Sequence, residues 1–99
     1  MSEPRLENVA AGRFRLAGEL SFETVPALVR RGRSLFEADG EVSLDLAEVG
    51  RADSAGVALL IEWRREAQRQ GRSIHFENFP PQMQAIARLS HVDELLAVR

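Results

Sequence analysis

Segments of this chain in which every second residue is apolar alternate with segments in which apolar residues recur every three to four positions. This alternation of periods is the feature that most constrains the fold. Val42, Leu44 and Leu46 alternate with polar residues, as in a half-buried strand. Residues 54–70 carry apolar side chains at helical spacing, with Gly71 placed to end that helix. Read along the whole chain, the two periods predict the element order β-β-α-β-α-β-α.

Turn and capping residues set the expected limits of the other elements. Residues 9–20 are predicted as two short strands joined by a tight turn, with Phe14 and Leu16 on one face. Gly32 lies within the apolar stripe of the first helix, which predicts that its backbone packs closely on the sheet. The other expected segments are a lead-in over 1–6, a helix from its N-cap Ser21 to Asp39-Gly40, a polar turn over 48–53, a strand over 74–77, a helix opened by Pro80-Pro81 and a last helical turn over 92–96.

Consecutive strand–helix–strand units favour right-handed crossovers and a partly parallel sheet with helices packed on it. A length of 99 residues fits one domain. We therefore expect a single α/β domain over residues 1–99, with a mixed sheet of about four to five strands and about three to four packed helices.

Composition narrows the classes of function. A net charge of -2 argues against a nucleic-acid binder, and the lack of cysteine excludes disulfides and cysteine-based zinc sites. The polar N-terminal residues do not resemble a signal peptide, and the longest aliphatic run, residues 57–61, is far too short to span a bilayer. These features predict a soluble cytoplasmic protein whose membrane association, if any, comes through a partner.

No pattern in the sequence indicates catalysis. His75 and His91 lie outside any metal-binding or nucleophile–base pattern, and both are interpreted as structural. Neither a Walker-type loop nor a G-x-G-x-x-G motif is present. We expect a protein that is not an enzyme and that needs no cofactor or metal.

One short segment, Asp53-Ser54-Ala55-Gly56, lies where the predicted polar turn becomes the longest helix. Asp53 or Ser54 is suited to cap this helix, and capping is favoured over a functional role for the serine on physical grounds alone. The helix dipole would favour a phosphate carried by Ser54. Gly56 would allow another part of the backbone to approach closely.

The same helix has an apolar arc covering about half its circumference, which is wider than an ordinary amphipathic helix needs. Two interpretations stay open: deep burial among sheet and helices, or contact of one margin with a partner. The centre of the arc, near Leu60 and Ala67, is expected to face the core. One margin, Leu59 with Trp63 or Val57 with Ile61, is then expected to be partly exposed.

In its order of motifs the sequence resembles the STAS family, named for sulfate transporters and anti-sigma factor antagonists. The resemblance covers nearly the whole chain and rests on Gly18-Glu19-Leu20, Leu44-Asp45-Leu46, Asp53-Ser54-Ala55-Gly56 and an aliphatic helix closed by Gly71. It implies the STAS fold and a domain that works by docking onto a partner protein. It also implies that the partner contact lies at or near Ser54, and Asp53, Ala55, Gly56, Leu59 and Trp63 are the other candidate contact residues.

The family contains proteins with two relevant roles. In anti-sigma factor antagonists a partner kinase phosphorylates the serine after the Asp; their usual motif is D-S-S-G or D-S-T-G, from which Ala55 departs. The second half of this chain, in residues 56–60, 64–71, 82–89 and Leu95-Leu96, is more similar to the small STAS subunits of ABC transporters that move phospholipids between the inner and outer membranes. This similarity implies a cytoplasmic subunit bound to the ATPase of the transporter and held peripherally at the inner membrane. The alternative is an anti-sigma factor antagonist whose partner is a kinase.

Overall fold

The structure, a computed structural model, describes residues 3–98. Its elements follow the predicted order, and Gly71 follows the second helix with a φ of +65°. A 3₁₀ segment continues directly from the first helix. The elements are β1 (Arg5–Ala10), β2 (Arg13–Leu20), α1 (Val25–Arg31), the 3₁₀ segment (Gly32–Phe36), β3 (Val42–Ala52), α2 (Ser54–Arg69), β4 (Ile74–Glu77) and α3 (Pro81–Leu89).

The four strands form one mixed sheet in the order β1-β2-β3-β4. β1 pairs antiparallel with β2, whereas β2, β3 and β4 run parallel to one another. α1 with the 3₁₀ segment connects β2 to β3, and α2 connects β3 to β4. The predicted α/β class with a mixed sheet is thereby confirmed, at four strands and three α-helices.

The core lies between one face of the sheet and the helices. Phe14 and Leu16 are buried, whereas Arg13 and Arg15 point to solvent, as their alternation predicts. Leu44, Leu46, Leu60 and the other core residues exclude water from this layer, and burial of each large aliphatic side chain stabilises the fold by about 1.5–3 kcal/mol. The final segment contributes Leu96, whose amide donates to the carbonyl of Val92 at 3.0 Å in a helix-like turn.

Three predicted boundaries in the first half of the chain were wrong. β1 starts at Arg5, inside the expected lead-in, because Arg5 pairs with Ala17 of β2. α1 starts at Val25 rather than after Ser21, and its regular part ends at Arg31. The 3₁₀ segment ends at Phe36, before the predicted stop at Asp39-Gly40.

The largest error concerns residues 48–53, which were expected to form a polar turn. β3 continues through this stretch to Ala52, with Val49 buried and with Gly18 and Leu20 of β2 paired to Val49 and Ala52. The neighbouring strand supplies hydrogen bonds for a backbone of low strand propensity. Strand β3 consequently runs directly into the start of α2.

Gly32 does not pack on the sheet as predicted. A Cβ atom at this position would overlap Nε1 of Trp63 and lie 2.7 Å from its Cε2. The missing side chain of Gly32 therefore makes room for an indole ring from α2, and it is helix–helix packing that requires the glycine.

Candidate functional site

Asp53 caps the N-terminus of α2. Its backbone is extended, and its Oδ1 accepts a hydrogen bond of 2.8 Å from the amide of Ala55. The carbonyl of Asp53 accepts from the amide of Gly56 at 3.0 Å, and its own amide donates to the carbonyl of Leu20 at 3.0 Å. One residue thus satisfies two amides of the first turn and ties the helix to the end of β2.

Ser54 is the first residue of α2 and is exposed. Within residues 3–98 its hydroxyl takes part in no hydrogen bond, because Asp53 alone provides the side-chain cap. Of the two candidate caps left open by the sequence, the structure selects Asp53. The Ser54 hydroxyl is consequently available at the surface, at the positive end of a helix of 16 residues.

Ala55 and Gly56 are buried, so they form the support of this site rather than its surface. A Cβ atom at Gly56 would lie 3.0 Å from Cβ of Leu20 and 3.4 Å from Cβ of Ala52. The glycine lets the first turn of α2 rest closely on the ends of β2 and β3. This contact fixes the position from which Ser54 projects.

The predicted exposure of one margin of the apolar arc was wrong for Leu59, Trp63 and Val57. Their exposed fractions are 1%, 2% and 4%, because neighbouring helices cover both sides of α2. Ile61 is partly exposed, and Leu60 and Ala67 face the core as expected. Deep burial therefore explains most of the arc, and neither Leu59 nor Trp63 presents a surface for contact in this structure.

The outward side of α2 is a narrow stripe in which Ser54, Ala58 and Ile61 follow one another at helical spacing. The loop after β2 carries Phe22, which is 73% exposed. The loop adjoins the site because Leu20, the last residue of β2, accepts the hydrogen bond from Asp53. We call Phe22, Ser54, Ala58 and Ile61 the docking surface.

Sequence reasoning missed Phe22. The available signal was a large aromatic residue within the polar stretch Ser21-Phe22-Glu23-Thr24, between a strand and a helix. The loop is held by Thr24, whose Oγ1 accepts from the amide of Ser21 at 2.8 Å and donates to the carbonyl of Glu19 at 2.9 Å. This bracing presents the aromatic ring to solvent at a defined place.

The docking surface carries one aromatic ring, one hydroxyl group and two aliphatic side chains. Within residues 3–98 no group of three or more His, Asp or Glu side chains is arranged to hold a metal ion. His75 lies on β4 beside Glu41, with 3.9 Å between its Nε2 and Oε2 of Glu41, and His91 lies in the turn after α3. Neither histidine is hydrogen-bonded to Ser54 among the described side chains. No helix in the described part of the chain is both long and apolar enough to cross a membrane.

The family model described as "Mlab, STAS domain" matches residues 6–97, which is nearly the full length of the chain. No curated protein matches the sequence.

Solved structures with the same arrangement include the anti-sigma factor antagonist SpoIIAA in its unphosphorylated form, with a TM-score of 0.68 and 18% identity over 97% of this chain and 98% of SpoIIAA. An anti-sigma factor antagonist from Mycobacterium paratuberculosis gives a TM-score of 0.71 and 18% identity over 96% of this chain and 82% of that chain. A crystal structure of Mglu gives 0.59 and 26% identity over 78% of this chain, which covers only 20% of the Mglu chain. The likeness to the two antagonists shows the fold.

Proposed function

We propose that this chain, which belongs to the STAS domain family of the MlaB type, is a non-catalytic subunit of an ABC transporter that moves phospholipids between the inner and outer membranes. It binds the cytoplasmic ATPase of the transporter and supports the assembly and activity of that ATPase. The protein is cytoplasmic and is held at the inner membrane through its complex. The match of an MlaB-type model to residues 6–97 carries this proposal.

The docking surface supplies a physical means of binding. Interfaces concentrate their energy in a few aromatic and Arg side chains surrounded by contacts that exclude water. Phe22 offers a braced aromatic anchor, and Ala58 with Ile61 offers apolar surface on the outward side of α2. Ser54 adds an exposed hydroxyl that a partner can hydrogen-bond at the start of α2. Ala55, Gly56, Leu59 and Trp63, the other candidate contact residues, are buried beneath this surface and support it from the core side.

A second candidate function is that of an anti-sigma factor antagonist with a kinase as partner. The exposed Ser54 after Asp53, on a fold shared with SpoIIAA, favours it. A phosphate on Ser54 would add about 1.5 to 2 negative charges beside the carboxylate of Asp53. Because Asp53 already occupies the amide of Ala55, this charge would project outwards and oppose docking.

Affinity purification from native membranes, followed by mass spectrometry, distinguishes the two functions. Recovery of an ABC ATPase and its permease is expected. Recovery of a serine kinase without transporter subunits would select the alternative, and recovery of neither would overturn both.

Substitutions in the docking surface should separate binding from folding. Ser54→Ala is expected to change the free energy of unfolding by less than about 0.5 kcal/mol, since Ser54 is exposed and is not the cap. Asp53→Ala should cost about 1 kcal/mol. Ser54→Arg and Phe22→Ala should each leave the melting temperature nearly unchanged but reduce co-purification of the partner at least tenfold.

The matched control is Leu89→Ala, which removes a comparably exposed apolar side chain, 82% exposed, from the last turn of α3. This variant is expected to bind the partner normally. If Leu89→Ala weakens binding as much as Phe22→Ala does, the docking surface is wrongly placed.

A further inference from the structure

The sheet ends on β4, and the outer edge of this strand is open. The amide of Val42 in β3 donates to the carbonyl of Ser73 at 3.1 Å. Ile74 lies opposite Val42, and Phe76 follows two positions later in the same register. In a parallel ladder this register turns the amides and carbonyls of Ile74 and Phe76 away from β3. Among residues 3–98, no hydrogen bond outside the β3–β4 pairing involves these four groups.

The opposite edge of the sheet, β1, is protected in a way that β4 is not. The pairing of β1 with β2 is irregular between Asn8 and Ala10, and such an irregularity bends an edge strand away from further pairing. β4 pairs with β3 in continuous register over Ile74–Glu77 and contains no proline. A regular, open edge of this kind is a template for another extended backbone.

A groove of about 720 Å³ adjoins β4, with α2 and residues 94–97 as its other walls. Its apolar lining comes from Ala67, Ile74, Phe76, Phe79, Leu95 and Leu96. The C-terminal segment leaves the edge of β4 unpaired, because the amides of residues 96–98 donate to carbonyls of residues 92–94 in local turns. Arg64, on the α2 wall, follows Ser54 by ten residues, or about 15 Å along the helix axis, so the groove is distinct from the docking surface.

The charged side chains that line the groove favour a negatively charged occupant. They are two guanidinium groups, one carboxylate and one imidazole, from Arg64, Arg72, Glu94 and His75. Within residues 3–98 neither Arg64 nor Arg72 forms an ion pair with a carboxylate. Arg72 donates instead to carbonyl oxygens of segment 36–40, which fixes its position and leaves its charge uncompensated.

Two further carboxylates near β4 do not cancel this charge. Oε1 of Glu77 lies 3.4 Å from a guanidinium nitrogen of Arg13, and Oε2 of Glu41 lies 3.9 Å from Nε2 of His75. Neither carboxylate lines the groove.

From the open edge, the apolar groove beside it and the excess of positive charge, we propose that β4 binds an extended acidic peptide segment of a partner protein as an additional strand of the sheet. The main chain of the peptide pairs with Ile74 and Phe76. Apolar side chains of the peptide fill the groove beside these two residues, and a carboxylate meets Arg64. Strand addition of this kind draws affinity from main-chain hydrogen bonds and specificity from the side-chain pockets.

The probe is the acetylated and amidated peptide Glu-Thr-Val-Thr-Val-Thr-Glu, whose two valines and two glutamates lie on one face of a strand. Calorimetry with the full chain is expected to show saturable binding. The peptide with both glutamates replaced by lysine should bind at least about tenfold more weakly, because like charges then meet at the groove.

Hydrogen exchange of the ¹⁵N-labelled chain reports on the main-chain pairing. Bound peptide should slow exchange of the Ile74 and Phe76 amides at least about tenfold, whereas the His75 amide, which faces β3, should already be protected in the free chain. N-methylation of the valines and N-methylation of the threonines remove donors from opposite edges of the peptide strand. One of these two peptides should lose at least about tenfold in affinity, and the other should keep most of it.

Variants of the chain test the charged contact without disturbing the core. Arg64→Gln should weaken binding of the glutamate peptide at least about fivefold. The matched control is Arg65→Gln, which changes an exposed guanidinium of α2 outside the groove and should have no effect. Phe22→Ala should also bind the peptide normally, so the result does not depend on the docking surface or on the function proposed for it.

Absence of saturable binding at millimolar peptide would overturn the proposal. Equal affinities of the glutamate and lysine peptides, or of the two N-methylated peptides, would also overturn it. A dimer of the chain in analytical ultracentrifugation, with the Ile74 and Phe76 amides protected in the absence of peptide, would assign the edge of β4 to a second copy instead.

Discussion

Replacement of Gly32 by alanine sets two well-characterised effects against each other. Gly32 has φ of -58° and ψ of -16°, which any residue adopts, and it lies where α1 passes into the 3₁₀ segment. Helix propensity alone therefore predicts that Gly32→Ala stabilises the protein by up to about 1 kcal/mol. Packing predicts the opposite, since the new Cβ would overlap Nε1 of Trp63 and lie 2.7 Å and 2.9 Å from its Cε2 and Cδ1.

The packing effect should be the larger one. The atoms that would be struck belong to a rigid ring that is 2% exposed, so no flexible side-chain end can give way. Overfilling of a close-packed core costs about 1–3 kcal/mol, and the rigid ring places this site at the upper end of that range. After the gain in propensity, the net loss is about 2 kcal/mol, or a decrease in melting temperature of roughly 8–16 °C for a domain of this size.

Urea unfolding followed by far-ultraviolet circular dichroism measures this loss without relying on the altered tryptophan. Gly50→Ala is the matched control, because no atom beyond its two chain neighbours lies within 4 Å of the new Cβ, and it should change stability by less than about 0.5 kcal/mol. In a Trp63→Leu background, Gly32→Ala should lose most of its cost. A Gly32→Ala variant that melts higher than the wild type would refute the packing argument.

Two further predictions concern polar contacts. Arg72 donates to carbonyl oxygens of segment 36–40, and its Cζ lies 5.3 Å from the centre of the Phe36 ring. Arg72→Ala should lower the free energy of unfolding, measured by urea titration, by about 1–2 kcal/mol, and Arg72→Lys should recover less than half of this loss. Full recovery by lysine would show that the planar, forked guanidinium group is not required. The hydrogen bond from the Asn78 side chain holds the pKa of Asp45 below its ordinary 3.8. The ionised carboxylate of Asp45 should therefore stabilise the folded state fully above about pH 4, and this stabilisation should be lost as the pH falls through the lower pKa that Asp45 has in the folded state. Thermal melts from about pH 2 to 6 should show a weaker acid dependence in Asp45→Asn, and an unchanged dependence would exclude this carboxylate as a source.

The elements that were predictable from the sequence are those that bury one side and expose the other along their whole length. β2 alternates and α2 has a continuous apolar side, so local periodicity carries the information. The second half of β3 lacks a clear alternation and owes its conformation to hydrogen bonds with β2, more than 25 residues earlier in the chain. The role of Arg72 likewise depends on carbonyl groups brought close only by the fold.

The candidate site was predictable as a segment but not as a surface. The pattern Asp53-Ser54-Ala55-Gly56 identified the start of α2. The pattern did not show that Leu59 and Trp63 would be covered, because the covering residues come from distant parts of the chain; Gly32 is one of them. Whether the four motif residues, Leu59 or Trp63 affect partner binding stays a prediction.

The start of α2 separates the requirements of folding from those of docking. Asp53 caps the helix with its own carboxylate and carbonyl, and Gly56 seats the first turn against Leu20. Ser54 lies between these two structural residues, and its hydroxyl takes part in no hydrogen bond among residues 3–98. A substitution or a phosphate at Ser54 therefore changes the charge and shape of the docking surface while the cap and the packing beneath it stay intact. For this reason, loss of partner binding in Ser54→Arg at an unchanged melting temperature is the expected behaviour of a docking residue, whereas equal losses of binding and stability would assign Ser54 to the fold.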